Sequence, residues 1–203
     1  MKLYDFGHAP NPRRVRIYLA EKGIAVPTEQ IDLATMQHKT GAYTAINPLQ
    51  RVPALMLDDG TVIAESIAIC RYFEVLNPLP PMFGIDAVEQ ATVEMWNRRV
   101  EQHLFFPVSQ VFRHLHPAMK SLEVPQLATW GEANKPRVAE FLPILDRRLE
   151  ASPFVGGAHY SVADITALVA IDFMKPAKLA MPPERCNIAR WHAEVSARSS
   201  AKA

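Results

Sequence analysis

A short hairpin pattern constrains the fold of this chain more than any other feature. Strand-forming runs at 54–57 (ALML) and 61–63 (TVI) flank the turn signal Asp-Asp-Gly at 58–60, and an Asp-Gly pair suits the positive φ of a tight turn. Pro53 stands at the strand entrance, where a residue without an N–H does not disturb a ladder. The pattern predicts a β-hairpin that leaves the N–H and C=O of Val52 free for a partner other than a neighbouring strand.

The hairpin is followed by a change to helical spacing. Apolar residues recur at helical intervals from Ile67 onwards, so Glu65 and Ser66 fall where a strand ends and a helix begins. A helix start carries unpaired N–H groups and a partial positive charge, and it therefore attracts anions. Two interpretations stay open here: Ser66 helps to bind an anion, or it merely caps the helix beside an exposed Glu65.

The segment before the hairpin predicts a parallel pair of strands. A strand at Lys2–Phe6 precedes a helix at Pro12–Lys22, which Gly23 ends, and a second strand lies within 25–33. A strand–helix–strand order implies parallel strands joined by a right-handed crossover. Together with the hairpin and the helix after it, residues 1–76 are predicted to form a small α/β domain.

Strand signals disappear after residue 76. The proline-rich segment 77–84 (NPLPPMFG) is predicted to be a linker. The residues beyond it predict helices only, the first of which should kink or break at Pro107, while YSVAD begins another with a capping box. A first helix is expected at about 86–116, one or two more at 124–150, one from the start signal at 160–164 through the apolar run 165–173, and a last one at about 184–198. We therefore expect an all-helical domain at 85–203.

Composition excludes several classes of protein. The 203 residues carry a formal net charge of +1 and no long basic cluster, which argues against binding to nucleic acid or an acidic membrane surface. Cys70 and Cys186 are far apart, so neither a disulfide framework nor a zinc site is expected, and a reducing compartment is indicated. The first residues lack an apolar signal core, and no stretch has the length of a membrane span. We expect a cytoplasmic protein with no membrane or nucleic-acid partner.

Four segments of the sequence together indicate a protein family. Each segment alone is a weak signal, but their order along the chain is specific. They are 9–24 (APNPRRVRIYLAEKGI), 37–55 (QHKTGAYTAINPLQRVPAL), 63–74 (IAESIAICRYFE) and 160–164 (YSVAD). In this order they resemble the cytosolic glutathione S-transferase family, in its bacterial form. The resemblance implies a thioredoxin-like α/β domain followed by an all-helical domain. It also implies a homodimer that uses glutathione as co-substrate, without a metal or further cofactor.

The activity that the resemblance implies is a detoxification reaction, in which the glutathione thiolate is conjugated to a small hydrophobic electrophile. Two other functions stay open. The protein could use glutathione to reduce disulfides or peroxides, or it could bind glutathione with little catalysis. A purely structural subunit is disfavoured, because two pairs of predicted glutathione-binding residues are intact: Glu65-Ser66 and His38-Lys39.

The resemblance also implies where glutathione binds. The Val52–Pro53 bond should be cis, and the backbone of Val52 should pair with the cysteinyl backbone like an added strand. Glu65 and Ser66 should hold the γ-glutamyl end, with Ser66 and the helix start on its carboxylate. At the other end, His38 and Lys39 match positions that hold the glycine carboxylate. Arg51 replaces a lysine or glutamine and is expected at the same end.

The sequence departs from the family at the catalytic position. Ala9 stands where a serine or threonine usually stabilises the thiolate. We predict that Asn11 supplies the donor instead, and that Arg13 and Arg14 mark a nearby anion by placing positive charge in a first helical turn. The competing interpretation is that Asn11 and Pro12 form an N-cap and first-residue pair.

The second substrate is expected against the helical domain. Candidates for its binding wall are aromatic or polar side chains, although an aromatic helix face more often indicates core packing. They are Trp96, Phe105, Phe106, Phe112 and His114.

Overall fold

The computed structural model describes residues 1–203, and these pack into two compact units. The first unit contains residues 1–82 and 199–203, and the second contains residues 83–198. Most of the predicted linker therefore packs with the first unit. The Nζ of Lys22 donates to the carbonyls of Asn77 (2.8 Å) and Pro80 (2.6 Å), and these bonds bind the segment to a helix.

A four-stranded mixed sheet forms the framework of the first unit. Its strands are β1 (Lys2–Asp5), β2 (Thr28–Gln30), β3 (Ala54–Met56) and β4 (Val62–Ala64), in the spatial order β2-β1-β3-β4. β1 and β2 are parallel, whereas β3 is antiparallel to both β1 and β4. The predicted parallel pair and the predicted hairpin are both confirmed, and Gly60 occupies the turn with φ of 85°.

Three α-helices accompany the sheet, as the sequence predicts for a thioredoxin-like domain. They are α1 (Pro10–Lys22), α2 (Gly41–Ile46) and α3 (Ser66–Leu76). Gly23 ends α1 in the left-handed conformation, and its N–H bonds back to the last turn. α1 packs against α3, and a short 3-10 turn at Gln37–Lys39 precedes α2.

The second unit is entirely helical, as predicted. Its α-helices are α4 (Ala87–Val100), α5 (Phe106–Leu115), α6 (Ala128–Ala151), α7 (Val162–Met174) and α8 (Cys186–Ser196). α7 is the most completely buried of the five and forms the centre of this unit. None of the helices in the structure combines the length and the apolar character needed to cross a membrane.

Of the kink or break predicted at Pro107, the break does not occur. A single π-helical turn at Glu101–Phe105 joins α4 to α5, and the backbone stays in the helical region on both sides of it. A proline disturbs an α-helix because it lacks an N–H and its ring meets the carbonyl four residues earlier. The wider π turn shifts that register, so the chain passes Pro107 without ending.

The capping box predicted at the start of α7 is present. Asp164 is fully buried and its carboxylate accepts from the N–H and Oγ of Ser161, at 3.0 and 2.9 Å. Its other oxygen accepts from the N–H of Val155 (2.8 Å) and from Nε1 of Trp191 (2.9 Å). Burial raises the pKa of Asp164, and these hydrogen bonds act in the opposite direction. One carboxylate thus joins the start of α7 to a preceding loop and to α8.

Candidate active site

The backbone at Val52 is available for a ligand. The Val52–Pro53 peptide bond is cis, as the resemblance implies, and β3 begins only at Ala54. The N–H and C=O of Val52 make no hydrogen bond within the chain. The Val52 side chain is buried in an apolar cluster with Tyr4 and Tyr43. A buried side chain thus holds a free peptide edge in a fixed place.

Tyr43 and Asn47, which the sequence did not predict as site residues, hold the chain directly before Val52. The carbonyl of Arg51 accepts from the hydroxyl of Tyr43 at 2.7 Å and from Nδ2 of Asn47 at 2.8 Å. Burial raises the pKa of Tyr43 to about 12, so its hydroxyl keeps its proton and donates. The Asn-Pro pair at 47–48 signals a turn, but nothing in the local sequence indicates where the Tyr43 hydroxyl points.

The junction of β4 and α3 contains a buried hydroxyl, that of Ser66. Ala54, where β3 begins, pairs with Ala64, where β4 ends, so Val52 and Ser66 each lie two residues beyond the same end of the hairpin. Ser66 is 2% exposed and its Oγ has no hydrogen-bond partner. The capping interpretation of Ser66 is wrong, because the N-cap is Glu65 and Ser66 is already the first helical residue. Glu65 is exposed, with φ of 71°.

A second buried polar atom without a partner belongs to His38. Its side chain is 3% exposed and Nδ1 makes no hydrogen bond. Burial lowers the pKa of His38, and the positive charges of Lys39 and Arg51 lower it further. The histidine is therefore held in its neutral form. Lys39 and Arg51 are both exposed and give this part of the surface its positive charge.

The start of α1 offers few donors. Ala9 is the N-cap and provides no side-chain bond, and the N–H of Arg13 closes the first turn on its carbonyl at 3.3 Å. Pro10 and Pro12 have no N–H, so Asn11 supplies the one free main-chain donor of this turn. The competing N-cap interpretation of Asn11 is wrong, because the helix begins at Pro10, two residues before the predicted start at Pro12, and its N-cap is Ala9.

The two arginines of this turn make contacts within the first unit. Nη2 of Arg13 donates to the carbonyl of Ala201 at 3.0 Å. Arg14 is 3% exposed, and its Nη2 donates to Oδ1 of Asn11 at 2.5 Å. Each guanidinium therefore has a protein partner, and a nearby anion stays a prediction.

A charged pair positions the loop that leads into α1. Asp5 is 1% exposed and its Oδ1 accepts from Nη1 of Arg16 at 2.7 Å. Arg16 also donates to the carbonyl of Gly7, at 2.9 Å, while the N–H of Gly7 donates to Oε1 of Gln30, also at 2.9 Å. Both polar groups of Gly7 are therefore engaged, which fixes the chain just before Ala9.

These observations bring the predicted glutathione-binding residues together in the first unit. Ala9 packs against the apolar cluster that contains Val52, which sets the start of α1 beside the free peptide edge. Pro53, Glu65 and Ser66 follow directly beyond the end of the hairpin at which Ala54 pairs with Ala64. No group of three or more His, Cys, Asp or Glu side chains in residues 1–203 has the arrangement to hold a metal ion.

Most of the side chains predicted to line the second-substrate site are buried in the core. Trp96 is buried between the guanidinium groups of Arg99 and Arg148, at 4.9 and 5.2 Å. His114 is also buried, and its Nδ1 accepts from the N–H of Leu127 at 3.0 Å. Phe105 is buried as well, whereas Phe106 is 47% exposed and Phe112 stacks on His116. Phe106 and the half-buried Phe112 remain as candidates.

Both parts of the chain match family models. The model for the glutathione S-transferase N-terminal domain matches residues 8–76, and the model for the C-terminal domain matches residues 104–199. Glutathione S-transferase 2 of Saccharomyces cerevisiae is 35% identical over 205 residues, which cover 100% of this chain and 88% of the relative.

Solved structures give the same result over the whole chain. The crystal structure of Gtt2 from Saccharomyces cerevisiae has a TM-score of 0.95 at 35% identity, and covers 100% of this chain and 99% of that one. A glutathione S-transferase domain-containing protein from Marinobacter aquaeolei VT8 has a TM-score of 0.95 at 36% identity, covering 98% and 99%. The chain therefore belongs to the glutathione S-transferase family and is an enzyme of the transferase class.

Proposed function

We propose that the protein conjugates the thiolate of glutathione to a small hydrophobic electrophile. The observation that carries this proposal is the pair of buried polar atoms without partners, Ser66 Oγ and His38 Nδ1, in the unit that also holds the free peptide edge of Val52. Buried polar groups are mostly satisfied. Asn97 and Asn134 of the second unit also have such atoms, but Ser66 and His38 stand where the resemblance places the two carboxylates of glutathione.

Glutathione has groups that match each of these sites. Its cysteinyl N–H and C=O pair with the free backbone of Val52, as in the addition of a strand to a sheet. Its γ-glutamyl carboxylate accepts from the Ser66 hydroxyl and lies at the positive start of α3. Glu65 is exposed beside Ser66 and pairs with the ammonium group of the same end.

The glycine carboxylate of glutathione lies at the cationic end of the site. His38 stays neutral and donates a hydrogen bond through a ring nitrogen, while Lys39 and Arg51 supply charge. Exposed charges contribute modestly to affinity. The buried histidine is therefore expected to fix the position of this carboxylate, and the two cations are expected to attract it.

Asn11 is the proposed donor to the glutathione sulfur. A thiol has a pKa of about 8.5 in water, and only the thiolate is an effective nucleophile. Hydrogen bonds from Asn11 favour the charged form, and the thiol proton leaves to solvent. The sulfur then attacks the electrophilic carbon, a C–S bond forms, and the leaving group departs with the electron pair of the bond that breaks.

Titration calorimetry with millimolar glutathione tests the binding site, and conjugation to an aryl halide tests the chemistry. We expect wild type to bind, and Asn11→Ala to bind comparably while turnover falls by about tenfold to a hundredfold. If wild type gives no binding heat and glutathione does not compete with another ligand, the proposed glutathione site is wrong. Normal turnover by Asn11→Ala would show that Asn11 is not the thiolate donor.

A second candidate function is favoured by Ala9, whose methyl group offers the sulfur no donor. The protein would then be a glutathione-dependent disulfide or peroxide reductase, or a weakly catalytic glutathione-binding protein. Turnover of a mixed disulfide faster than that of an aryl halide would favour the reductase. A large gain in conjugation by Ala9→Ser would instead indicate a transferase with a weakened site.

The protein is also proposed to be a cytoplasmic homodimer. The dimer is what the resemblance implies, and the first unit exposes large apolar side chains that an interface could cover; they are Leu49, Val75, Leu76 and Leu79. Both cysteines are free thiols, and free thiols suit a reducing compartment. Light scattering during size-exclusion chromatography measures the assembly directly, and a monomer mass at micromolar concentration would contradict the dimer.

A further inference from the structure

The side chain of Asn11 is held by a buried guanidinium on the same helix. Asn11 and Arg14 are three residues apart on α1, a spacing that brings side chains together on one helix face. Nη2 of Arg14 donates to Oδ1 of Asn11 at 2.5 Å. Arg14 is 3% exposed, whereas Asn11 is exposed. A fixed, buried group thus contacts one end of an accessible amide.

This contact decides which end of the amide is presented. A guanidinium has donors only, so it can bond to the amide oxygen of Asn11 and never to its nitrogen. The oxygen must therefore face Arg14, and the two N–H groups of Nδ2 must face away from it. Without this constraint the terminal torsion of an asparagine is broad and roughly two-fold, and the oxygen could face a bound anion and repel it.

The direction of the amide matters because this helix start has few other donors. Ala9 has no hydroxyl, and Pro10 and Pro12 lack N–H groups. The N–H of Arg13 is already bonded to the carbonyl of Ala9. The main-chain N–H and the Nδ2 group of Asn11 are then the donors that this turn can offer to a sulfur atom.

We propose that Arg14 is a positioning residue, which turns the Asn11 carboxamide so that its N–H groups face the thiol of bound glutathione. This inference rests on the proposed function. Bonding to a cation also polarises the amide, which strengthens its N–H donors. The guanidinium contacts the amide oxygen of Asn11. Its effect is transmitted through the orientation and polarity of Asn11.

The pKa of the bound glutathione thiol is the decisive measurement. It is read from the ultraviolet absorbance of the thiolate as a function of pH, with the affinity measured in parallel by calorimetry. Arg14→Met keeps the length and apolar stem of the side chain but has no donor. We expect its thiol pKa to rise by about one unit, which lowers kcat/KM by about tenfold below the pKa values of both enzymes.

The pH profile separates positioning from general damage. The thiolate fraction of wild type and Arg14→Met should become equal well above both pKa values, so the two rates should converge at high pH. A structural defect would lower the rate at every pH. Arg14→Lys retains a cationic donor and should restore part of the lost pKa shift.

Asn11→Asp provides a second test that does not depend on a buried substitution. Its carboxylate still accepts from Arg14, but it has no N–H for the sulfur, so the thiol pKa should rise here as well. Asn11→Ala combined with Arg14→Met should raise the thiol pKa no more than Asn11→Ala alone, because contacting residues that act as one unit are not additive.

The outcomes distinguish this inference from the proposed function. If wild type fails to bind glutathione, the proposed function fails and the inference falls with it. If wild type binds and Arg14→Met leaves the thiol pKa unchanged, only the inference is overturned. Should Arg14→Met not fold, Arg14→Lys decides: a thiol pKa above that of wild type supports the positioning role of the guanidinium, and an unchanged one overturns it.

Discussion

At the scale of single residues, Ser66 and His38 are costly in the free protein. Each buries a polar atom without a partner, and an unsatisfied buried group costs about 1–3 kcal/mol of folding free energy. A ligand that supplies the missing hydrogen-bond partner recovers this free energy on binding. Stability and affinity should therefore change in opposite directions when one of these side chains is removed.

Replacing Ser66 with alanine tests this trade-off. Ser66→Ala should raise the free energy of unfolding by about 1 kcal/mol without ligand, because the unpaired hydroxyl is gone. It should weaken glutathione binding by about tenfold, the equivalent of one lost hydrogen bond to a charged group. Denaturant unfolding and calorimetry measure the two effects. Ser121→Ala, at an exposed position of the second unit, should change neither quantity.

His38 makes the stability of the free protein depend on pH. Its pKa is lowered in the folded state by burial and by neighbouring positive charge, so the unfolded chain takes up a proton first as pH falls. The free energy of unfolding is therefore at its full value above the unfolded pKa of about 6.5. It decreases as pH falls towards and through the lower pKa of the folded state. His38→Gln should therefore lose less stability than wild type between about pH 8 and pH 5.

The matched control for this measurement is His159→Gln, since His159 is exposed. Its loss of stability over the same pH interval should equal that of wild type. An identical loss in His38→Gln and wild type would show that His38 does not contribute to the acid sensitivity of folding.

At the scale of secondary-structure elements, α7 depends on one carboxylate for its start and for its attachment. Asp164 accepts four hydrogen bonds, from Ser161, Val155 and Trp191, and is fully buried. A carboxylate suits this place because it has two oxygens and no donor. An amide of the same shape would turn an NH₂ group towards two of the donors.

Asp164→Asn should therefore destabilise the protein by about 2–4 kcal/mol, since it leaves buried donors without acceptors. Thermal and denaturant unfolding measure this loss. Asp86→Asn is the matched control, because Asp86 caps α4 at an exposed position and asparagine caps a helix about as well as aspartate. Equal stabilities of the two variants would contradict the role given to Asp164.

At the scale of the whole molecule, residues 199–203 pack with the first unit although the preceding helices belong to the second. The carbonyl of Ala201 accepts from Arg13, and the hydroxyl of Ser200 bonds to Glu21. Both partners lie on α1, the helix that carries Asn11 at its start. The stability of this helix therefore depends on residues that are distant in sequence.

Deletion of residues 199–203 should lower the melting temperature and loosen α1. Two side-chain hydrogen bonds and the packing of Ser200 and Ala201 are lost, so a loss of about 1–3 kcal/mol is expected. Hydrogen exchange should accelerate in α1 more than in α7. Lys202→Ala, which changes an exposed side chain, should preserve both, and unchanged exchange in the deletion variant would contradict the proposed support.

The sequence by itself determined the features that depend on neighbours along the chain. The hairpin follows from Asp-Asp-Gly, the end of α1 from Gly23, and the start of α7 from the spacing of Ser161 and Asp164. Turns and caps are decided within four or five residues, so local patterns predict them. The order of these features was enough to predict a small α/β domain followed by helices, and the resemblance to a known family implied that the α/β domain is thioredoxin-like.

Only the tertiary structure decided which side chains meet across packed elements. The helix starts at Pro10, not beyond Asn11; the π turn carries the chain past Pro107; Tyr43 reaches the carbonyl of Arg51. Local sequence propensity does not predict these features, because each is determined by packing against residues that are distant in the chain. For the same reason the orphaned atoms of Ser66 and His38 could be recognised only once the neighbours that leave them unpaired were known.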